Sequence, residues 1–461
     1  MTAKKPAGLT ASRANVQCLP SPVSTRWLHV VLLALGLVGW MTFILACVGG
    51  PAWSPDSSKI LFAWRDYEGG RYNVAVYDRA TRVSRIIFQH RSPKEDEDND
   101  FTAVPEWQKD GTRAIVAMTT EDSDTHCTLF SIELKGKAPP EAYDLGKKTM
   151  CTDPGSMPQI GTRLFIGGEN FITWLDLSTG ETRSKTIEGE GNFIAEHNGQ
   201  LVYARGVSRP VNDPKNKDAK EEGVEFGRVK LNDKLDDPEL KPQFTLWAKD
   251  VANADLGNAG FGSWEPGGSR IAMVGPLKNT DRILMLDENK RMTGTLMPEL
   301  SGVKNYRLGN LVWSHDGKTL FAPAITRGQG DNTYDYSLAE IPLTGAPGRL
   351  TRIVSFHIKK DEPTADQAKD QPAAGQAAEQ SDLSEFDHSD DNGFVFFSMQ
   401  VSLSPDETMI AATPANMDKG SFAGPDRALF LVDLRRPTHR VTRIPFPKAS
   451  MAAPQPAGTA K

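Results

Sequence analysis

The chain has 461 residues and a formal net charge of −6, and 39% of its residues are hydrophobic. Residues 1–26 carry four basic side chains and no acidic one, so the rest of the chain has a net charge of −10, which is −6 less +4. Because affinity for nucleic acid comes largely from neutralising phosphates, so acidic a body argues against a nucleic-acid partner. The 40 Gly and 31 Pro residues indicate many turns and hence many short strands.

The first predicted element is a membrane-spanning helix over residues 27–46, which contain no Asp, Glu, Lys or Arg. About 20 such residues are enough to cross the hydrocarbon core of a bilayer. The basic segment 1–26 precedes the span, so it is expected to stay in the cytoplasm. Everything after residue 47 is then expected to be exported and held at the membrane.

Two forms of anchorage are open, and they differ at Cys47. Residues 44–47 resemble a bacterial lipobox, in which a lipidated Cys becomes the first residue of the mature protein, so Cys47 is a candidate lipidation site. Leu45 departs from the Ala or Ser usual there, and the lead-in of 26 residues is long. An uncleaved signal anchor is therefore favoured over the lipoprotein, with plain secretion as a third alternative.

A repeated unit follows, with a turn rich in Ser, Pro, Asp and Gly, a short apolar strand and a second strand ending near Asp. Pro fixes φ at such a turn, and Asp or Gly accepts unusual backbone angles. Runs such as ILFA and AIVAM are typical of strands buried on both faces. The turn and first strand recur seven times, at 51–64, 105–118, 157–168, 197–206, 262–275, 311–324 and 401–413.

A large side chain stands just before the turn in five copies and is expected to fill the gap between neighbouring sheets. These residues are Trp53, Trp107, Trp264, Trp313 and Leu403. One unit cannot bury both of its faces, so stability requires a closed ring. The sequence therefore predicts an all-β, seven-bladed β-propeller, with six blades as the alternative if one weak copy is an insertion. Within the turns, Ser54, Pro55 and Asp56 are interpreted as structural.

The turn WSPDSSKILF at 53–62 and its copies resemble the TolB-type, WD-repeat-like propeller repeat of bacterial envelope proteins, over roughly residues 50–445. The resemblance implies a propeller on the periplasmic side of the bacterial cell envelope, and it implies little about activity, since propellers serve many functions. Prolyl-oligopeptidase enzymes carry the same repeat, but the Gly-x-Ser-x-Gly elbow of their hydrolase domain is absent from this sequence. TolB has an α/β domain before its propeller, whereas here the repeats begin directly after the span.

Four predicted insertions fall on one face of the propeller. In each blade, strands a to d run outward from the channel, and the Ser-Pro-Asp turn joins a to b. Loops 207–223 and 325–333 then join b to c, while 91–100 and 358–392 join d to the next a. Segment 358–392 is predicted to be disordered. Partner binding by this face and simple tolerance of insertions are equally open.

No motif in the sequence indicates a metal, a cofactor or a catalytic residue. The acidic runs 95–100 and 387–393 lack the ligand spacing of a calcium loop and are interpreted as solvated linkers. Cys127 opens strand c of blade 2 and Cys151 follows strand d, so antiparallel pairing brings them close enough for a candidate disulfide.

The predicted organisation is a cytoplasmic segment 1–26, the anchor 27–46, the propeller 47–445 and a disordered tail 446–461. We expect a binding scaffold for an envelope protein, a peptide or a glycan, not an enzyme. The alternative is a lyase or hydrolase with its site in the central channel. Paired carboxylates, a His or a metal in the channel would favour the enzyme.

Overall fold

The structure is a computed structural model. It describes residues 50–66, 71–91, 103–119, 127–135, 138–145, 157–167, 171–187, 190–211, 220–232, 237–251, 262–276, 281–288, 291–329, 333–357, 399–414, 428–436 and 438–447. The predicted span 27–46, Cys47, Cys151, the run 387–393 and segment 358–392 lie outside these residues. Among the residues described, no helix has the length and apolar character needed to cross a bilayer.

Seven antiparallel sheets make up the described chain, and each is built from consecutive strands. In chain order, blades 1 to 4 contain β1 (Ala52–Trp53), β2 (Lys59–Asp66), β3 (Arg71–Asp78), β4 (Val83–Arg91), β5 (Ala103–Trp107), β6 (Arg113–Thr119), β7 (Cys127–Glu133), β8 (Glu141–Asp144), β9 (Gln159–Ile160), β10 (Arg163–Gly167), β11 (Phe171–Asp176), β12 (Thr182–Thr186), β13 (Glu190–His197), β14 (Gln200–Pro210), β15 (Lys220–Lys230) and β16 (Glu239–Trp247). A 3₁₀ helix, η1 (Ala248–Val251), follows blade 4.

Blades 5 to 7 complete the ring. They contain β17 (Ser263–Trp264), β18 (Arg270–Pro276), β19 (Asp281–Asp287), β20 (Arg291–Leu296), β21 (Tyr306–Leu308), β22 (Val312–Trp313), β23 (Thr319–Arg327), β24 (Thr333–Pro342), β25 (Arg349–His357), β26 (Met399–Leu403), β27 (Met409–Pro414), β28 (Ala428–Asp433) and β29 (Arg440–Pro445). In blade 6 the inner strand is split, because β21 and β22 both pair with β23. The seven-bladed all-β prediction is confirmed, and the six-bladed alternative is wrong.

Seven hydrophobic clusters hold the ring together, one between each pair of neighbouring blades. Both faces of each sheet are therefore buried, as the continuous apolar runs require. The cluster between blades 7 and 1 includes Trp53, Ile60, Phe62 and Leu429. Blades 1 and 7 exchange no strand, so side-chain packing and hydrogen bonds that involve side chains close the ring at this junction, called the seam below.

Three of the tryptophans before the turns donate a hydrogen bond to the preceding blade. The indole Nε1 of Trp53 donates to the carbonyl of Ser402 (2.9 Å), and that of Trp107 donates to the carbonyl of Ala52 (2.8 Å). The same bond joins Trp313 to the carbonyl of Ser263 at 2.8 Å. The predicted gap-filling role is thereby confirmed at these positions, and each indole also has a buried partner for its N–H.

The Ser-Pro-Asp turn satisfies its polar groups internally. Ser54 Oγ donates to Asp56 Oδ1 at 2.6 Å and accepts the Lys59 amide at 2.8 Å, while Asp56 Oδ1 also accepts the Ser58 amide. The hydrogen bonds from Ser54 and Ser58 lower the pKa of Asp56 to about 2. The next residue, Ser57, is left-handed with φ of 57°. These contacts confirm that the turn residues have a structural role.

Antiparallel order fixes which connections share an end of the ring. The a–b and c–d turns lie at one end, called the turn face, and the b–c and d–a connections lie at the other, called the long-loop face. The prediction of loops at 207–223 and 325–333 is wrong in extent. Strands β14 and β15 include residues 207–210 and 220–223, and β23 and β24 include 325–327 and 333, because cross-strand pairing continues into these charged segments.

Candidate functional site on the long-loop face

Contacts between turns tie the blades together on the opposite, turn face. The Asp406 amide donates to Ser57 Oγ at 3.0 Å, and Arg79 Nη1 lies 3.2 Å from Asp406 Oδ2, both across the seam. Other bonds between neighbouring blades join Lys109 N to Gln159 Oε1 (3.0 Å), Gly267 N to Asn198 Oδ1 (3.1 Å) and Arg270 Nη2 to Gly317 O (2.7 Å). Polar groups on this face are therefore engaged by neighbouring turns.

On the long-loop face, the hairpin formed by β14 and β15 is the longest feature described. Each of these strands has 11 residues, whereas the matching β10 and β11 of blade 3 have 5 and 6. The outer half of the hairpin, residues 205–211 and 220–225, is called the blade-4 hairpin below. Its length places it beyond the ends of the neighbouring strands, where a partner could reach it.

A stacked arrangement stiffens the blade-4 hairpin. Arg209 Nε and Nη2 both donate to Glu221 Oε2, at 2.8 and 2.6 Å. The Arg209 guanidinium lies 3.9 Å from the centroid of the Trp247 ring, a cation–π distance. A Cβ on Gly223 would stand 2.7 Å from that ring, so the glycine lets the indole lie flat on the hairpin. Lys249 of η1 supports the same carboxylate at 3.8 Å.

A second polar group fixes the base of the hairpin. Glu225 Oε1 accepts hydrogen bonds from Tyr203 Oη at 2.8 Å and from Arg205 Nε at 2.7 Å. Burial, and then the bond to Glu225, raise the pKa of the Tyr203 hydroxyl, so it stays protonated as a donor. Val211, which directly follows β14 at the outer end of the hairpin, is apolar and yet 39% exposed. The hairpin thus presents an exposed apolar residue on a rigid support.

Blades 5 and 6 meet at the long-loop face through a buried ion pair. Arg307 Nη1 donates to Asp281 Oδ1 at 3.0 Å, and the Leu308 amide donates to Asp281 Oδ2 at 2.6 Å. Both charged side chains are almost fully buried. Neutralised in this way, the pair serves to join the blades and offers no free charge to a substrate. Sequence reasoning missed it, because 26 residues separate its members and neither lies in a motif.

One carboxyl on an inner strand has an unusual environment. Trp107 points toward blade 1, so its neighbour Glu106 points toward blade 3, where no tryptophan precedes the turn. Glu106 Oε1 accepts the Trp107 amide at 3.1 Å, and burial raises the pKa of this carboxyl to about 7. Among the described residues no cation forms an ion pair with it. The sequence carries no signal for this site.

Metal and disulfide chemistry can be followed only within the described chain. No group of three or more His, Cys, Asp or Glu side chains is placed there to hold a metal ion. Cys127 opens β7, is fully buried and is disulfide-bonded. Its predicted partner Cys151 lies outside the described residues, so that pairing stays a prediction.

The chain enters the propeller on the long-loop face. Gly50 lies two residues before the inner strand β1, and a Cβ at Gly50 would lie 2.9 Å from Cβ of Gln400, near the start of β26. Both residues stand four positions before the serine of their turns, Ser54 and Ser404, and therefore at the opposite end of the strand from the turn face.

No protein-family model matches this sequence, and no curated protein is detectably similar to it. Solved structures similar in fold include a chain of the mitotic checkpoint complex, with 14% identity and a TM-score of 0.43 over 80% of this chain and 84% of that one. TolB from Acinetobacter baumannii has 13% identity and a TM-score of 0.35, over 64% and 65%. A prolyl endopeptidase has 14% identity and a TM-score of 0.42, over 80% of this chain and 47% of the endopeptidase chain. Likeness at this level carries nothing about activity or partners.

Proposed function

We propose that this protein is a membrane-anchored β-propeller with a TolB-type repeat, placed on the periplasmic side of the bacterial cell envelope, that binds a protein, a peptide or a glycan. Residues 27–46 supply the anchor, either as a signal anchor or with lipidation at Cys47. The long-loop face supplies the binding surface. The observation that carries the proposal is the blade-4 hairpin, a stiffened extension on the face that also holds the predicted insertions.

The support for this choice is physical. The Arg209–Glu221 ion pair, the guanidinium stacked on Trp247 and the glycine that makes room for the indole stiffen the hairpin close to the exposed Val211. Ordering such groups before binding lowers the entropy lost on association. Aromatic residues and arginine on a rigid support are also common at protein interfaces.

Photo-crosslinking in intact membranes tests the binding face. A photo-reactive amino acid replaces Val211 on the blade-4 hairpin, and in a matched control it replaces Val83, which is 58% exposed near the turn face. We expect a discrete crosslinked species from position 211 and none from position 83. Equal labelling at the two positions, or labelling at position 83 alone, would remove the basis for this binding face.

A channel-sited lyase or hydrolase is the second candidate, and among the residues that the structure describes Glu106 alone favours it. A carboxyl with a pKa of about 7 can act as a general acid near neutral pH. The test is to incubate the protein with pooled envelope peptides and glycans, and to compare wild type with Glu106→Gln. Turnover that the substitution abolishes would support the enzyme, and absence of turnover by the wild type would leave the scaffold.

A further inference from the structure

The position of the chain entry limits how far the propeller can lie from the bilayer. Four Cα–Cα steps, with three residues between, separate Ala46, the end of the predicted span, from Gly50 on the long-loop face. Even fully extended, they cover at most about 14 Å. The polar headgroup region on one side of a bilayer is about 5–7 Å thick. If residues 27–46 span the membrane, the region around Gly50 must therefore lie at or close to the headgroups.

An aromatic stack reaches the surface at this location. Strand β1 pairs with β2, with Ala52 opposite Leu61, so the chain followed back toward Gly50 runs alongside β2 toward Trp64. The Trp64 ring stacks on Phe446, with ring centroids 4.9 Å apart, and on Phe62 at 5.6 Å. Phe62 is fully buried, whereas Trp64 and Phe446 are half-buried. The stack thus extends from the core of the seam to the long-loop face.

Phe446 directly follows the last strand described, β29, in the segment that the sequence predicts to be a disordered tail. Strand β29 ends on the long-loop face, and Phe446 continues from it across the seam onto blade 1. Its ring lies 5.4 Å from that of Phe62. Both sides of the seam therefore contribute an aromatic side chain next to the chain entry.

The chemistry of this patch fits the bilayer interface. Tryptophan is enriched at the headgroup level of membrane proteins, because its ring is large and apolar but carries a polar N–H. The body of the protein is acidic, so electrostatic attraction to anionic lipids would not seat it on a membrane. Contact through aromatic rings does not depend on charge and is expected to resist salt.

We propose that the seam of the propeller rests on the lipid bilayer, with Trp64 and Phe446 in the interfacial layer beside the chain entry. This inference rests on the proposed anchoring by residues 27–46. It fixes one part of the long-loop face against the membrane. The blade-4 hairpin, several blades away around the ring, then remains accessible to a partner from the periplasm.

Quenching of tryptophan fluorescence by lipid tests the contact. The full chain is reconstituted in phosphatidylcholine vesicles that carry bromine on the acyl chains close to the headgroups. Trp64→Phe keeps an aromatic ring in the stack and so preserves folding, while Trp174→Phe, in buried strand β11, is the matched control. We expect Trp64→Phe to lose about a third of the quenched signal, since Trp64 would add to Trp27 and Trp40 of the span. Trp174→Phe should lose none.

The possible failures of the two proposals can be told apart. If the chain floats with the vesicles but Trp64→Phe leaves the quenching unchanged, the docked seam is wrong and the anchor stands. If the wild-type chain does not float with vesicles, the anchor fails and the docked seam fails with it. A photo-reactive group at Phe446 that captures protein instead of lipid in native membranes would also overturn the inference.

Discussion

Short turns joined by hydrogen bonds make up the turn face, whereas the long-loop face carries connections that differ from blade to blade. Ser54, Asp56 and their counterparts Ser404 and Asp406 repeat one set of bonds inside each turn. The blade-4 hairpin, in contrast, carries its Arg209–Glu221 pair and the Trp247 stack on the two longest strands described. Repetition in this molecule stabilises the ring, while irregularity marks the surface where a specific role is to be sought.

The largest expected difference between the two faces is in global stability. Trp107→Ala removes a buried indole and its bond to the Ala52 carbonyl, and it should lower the free energy of unfolding by about 4 kcal/mol. Trp247→Ala on the blade-4 hairpin is the matched variant and should cost about 1–2 kcal/mol, since that ring is only half-buried. Chemical denaturation measures both. Equal losses would show that the hairpin belongs to the cooperative core.

The inner strand offers a test through pH. Because the folded-state pKa of Glu106 is raised from 4.5 to about 7, the unfolded chain releases this proton more readily. Stability is therefore full below about pH 4.5 and falls as the pH rises through 7. Glu106→Gln should be more stable than wild type at pH 8, by on the order of 2 kcal/mol for a partly accessible group, and equal to it at pH 4. Thermal unfolding of both proteins at the two pH values measures this effect. If the stability difference between variant and wild type is the same at pH 8 and pH 4, the shifted pKa is contradicted.

Packing on the hairpin can be probed with a single methyl group. Gly223→Ala places a Cβ 2.7 Å from Trp247 and 2.8 Å from the Leu246 carbonyl, so the indole must move, at a cost of about 1–2 kcal/mol. Gly294→Ala in β20 is the control, because its Cβ would meet nothing within 4 Å. Denaturation measures the cost, and crosslinking from Val211 should weaken only in the first variant. Preserved crosslinking would mean that the Trp247 support is not needed for binding.

The same contrast explains how far sequence reasoning could reach. Each blade has a local sequence signal, the turn and the apolar strand after it, so seven blades could be predicted from residues close together in the chain. The Asp281–Arg307 pair joins residues 26 positions apart, and the Trp64–Phe446 stack joins residues 382 positions apart. No local sequence pattern encodes contacts of this kind. In the blade-4 hairpin, the prolines and charged residues of segment 207–223 predict a loop, whereas the structure pairs 207–210 with 220–223. The opposite charges of Arg209 and Glu221, which face each other across the strands, were the missed signal.

A histidine on the turn face provides the smallest and most local test. His439 Nε2 lies 2.7 Å from Arg349 Nη2, and Nδ1 lies 3.1 Å from Thr351 Oγ1, so the ring joins blade 7 to blade 6. Since a guanidinium can only donate, Nε2 must accept, and the ring is neutral with its proton on Nδ1. Burial, and then the positive charge of Arg349, lower the pKa of His439 from 6.5.

The unfolded chain therefore takes up this proton more readily, and stability is lost as the pH falls below about 6.5. Protonation ends the bond from Arg349, which is worth about 1 kcal/mol. His439→Gln keeps an acceptor for Arg349 without a titrating ring, so its loss of stability between pH 7 and pH 5 should be smaller than that of wild type by about that amount. If wild type and variant lose stability identically between pH 7 and pH 5, His439 is not the source of the acid sensitivity, and the contact between blades 6 and 7 does not depend on pH.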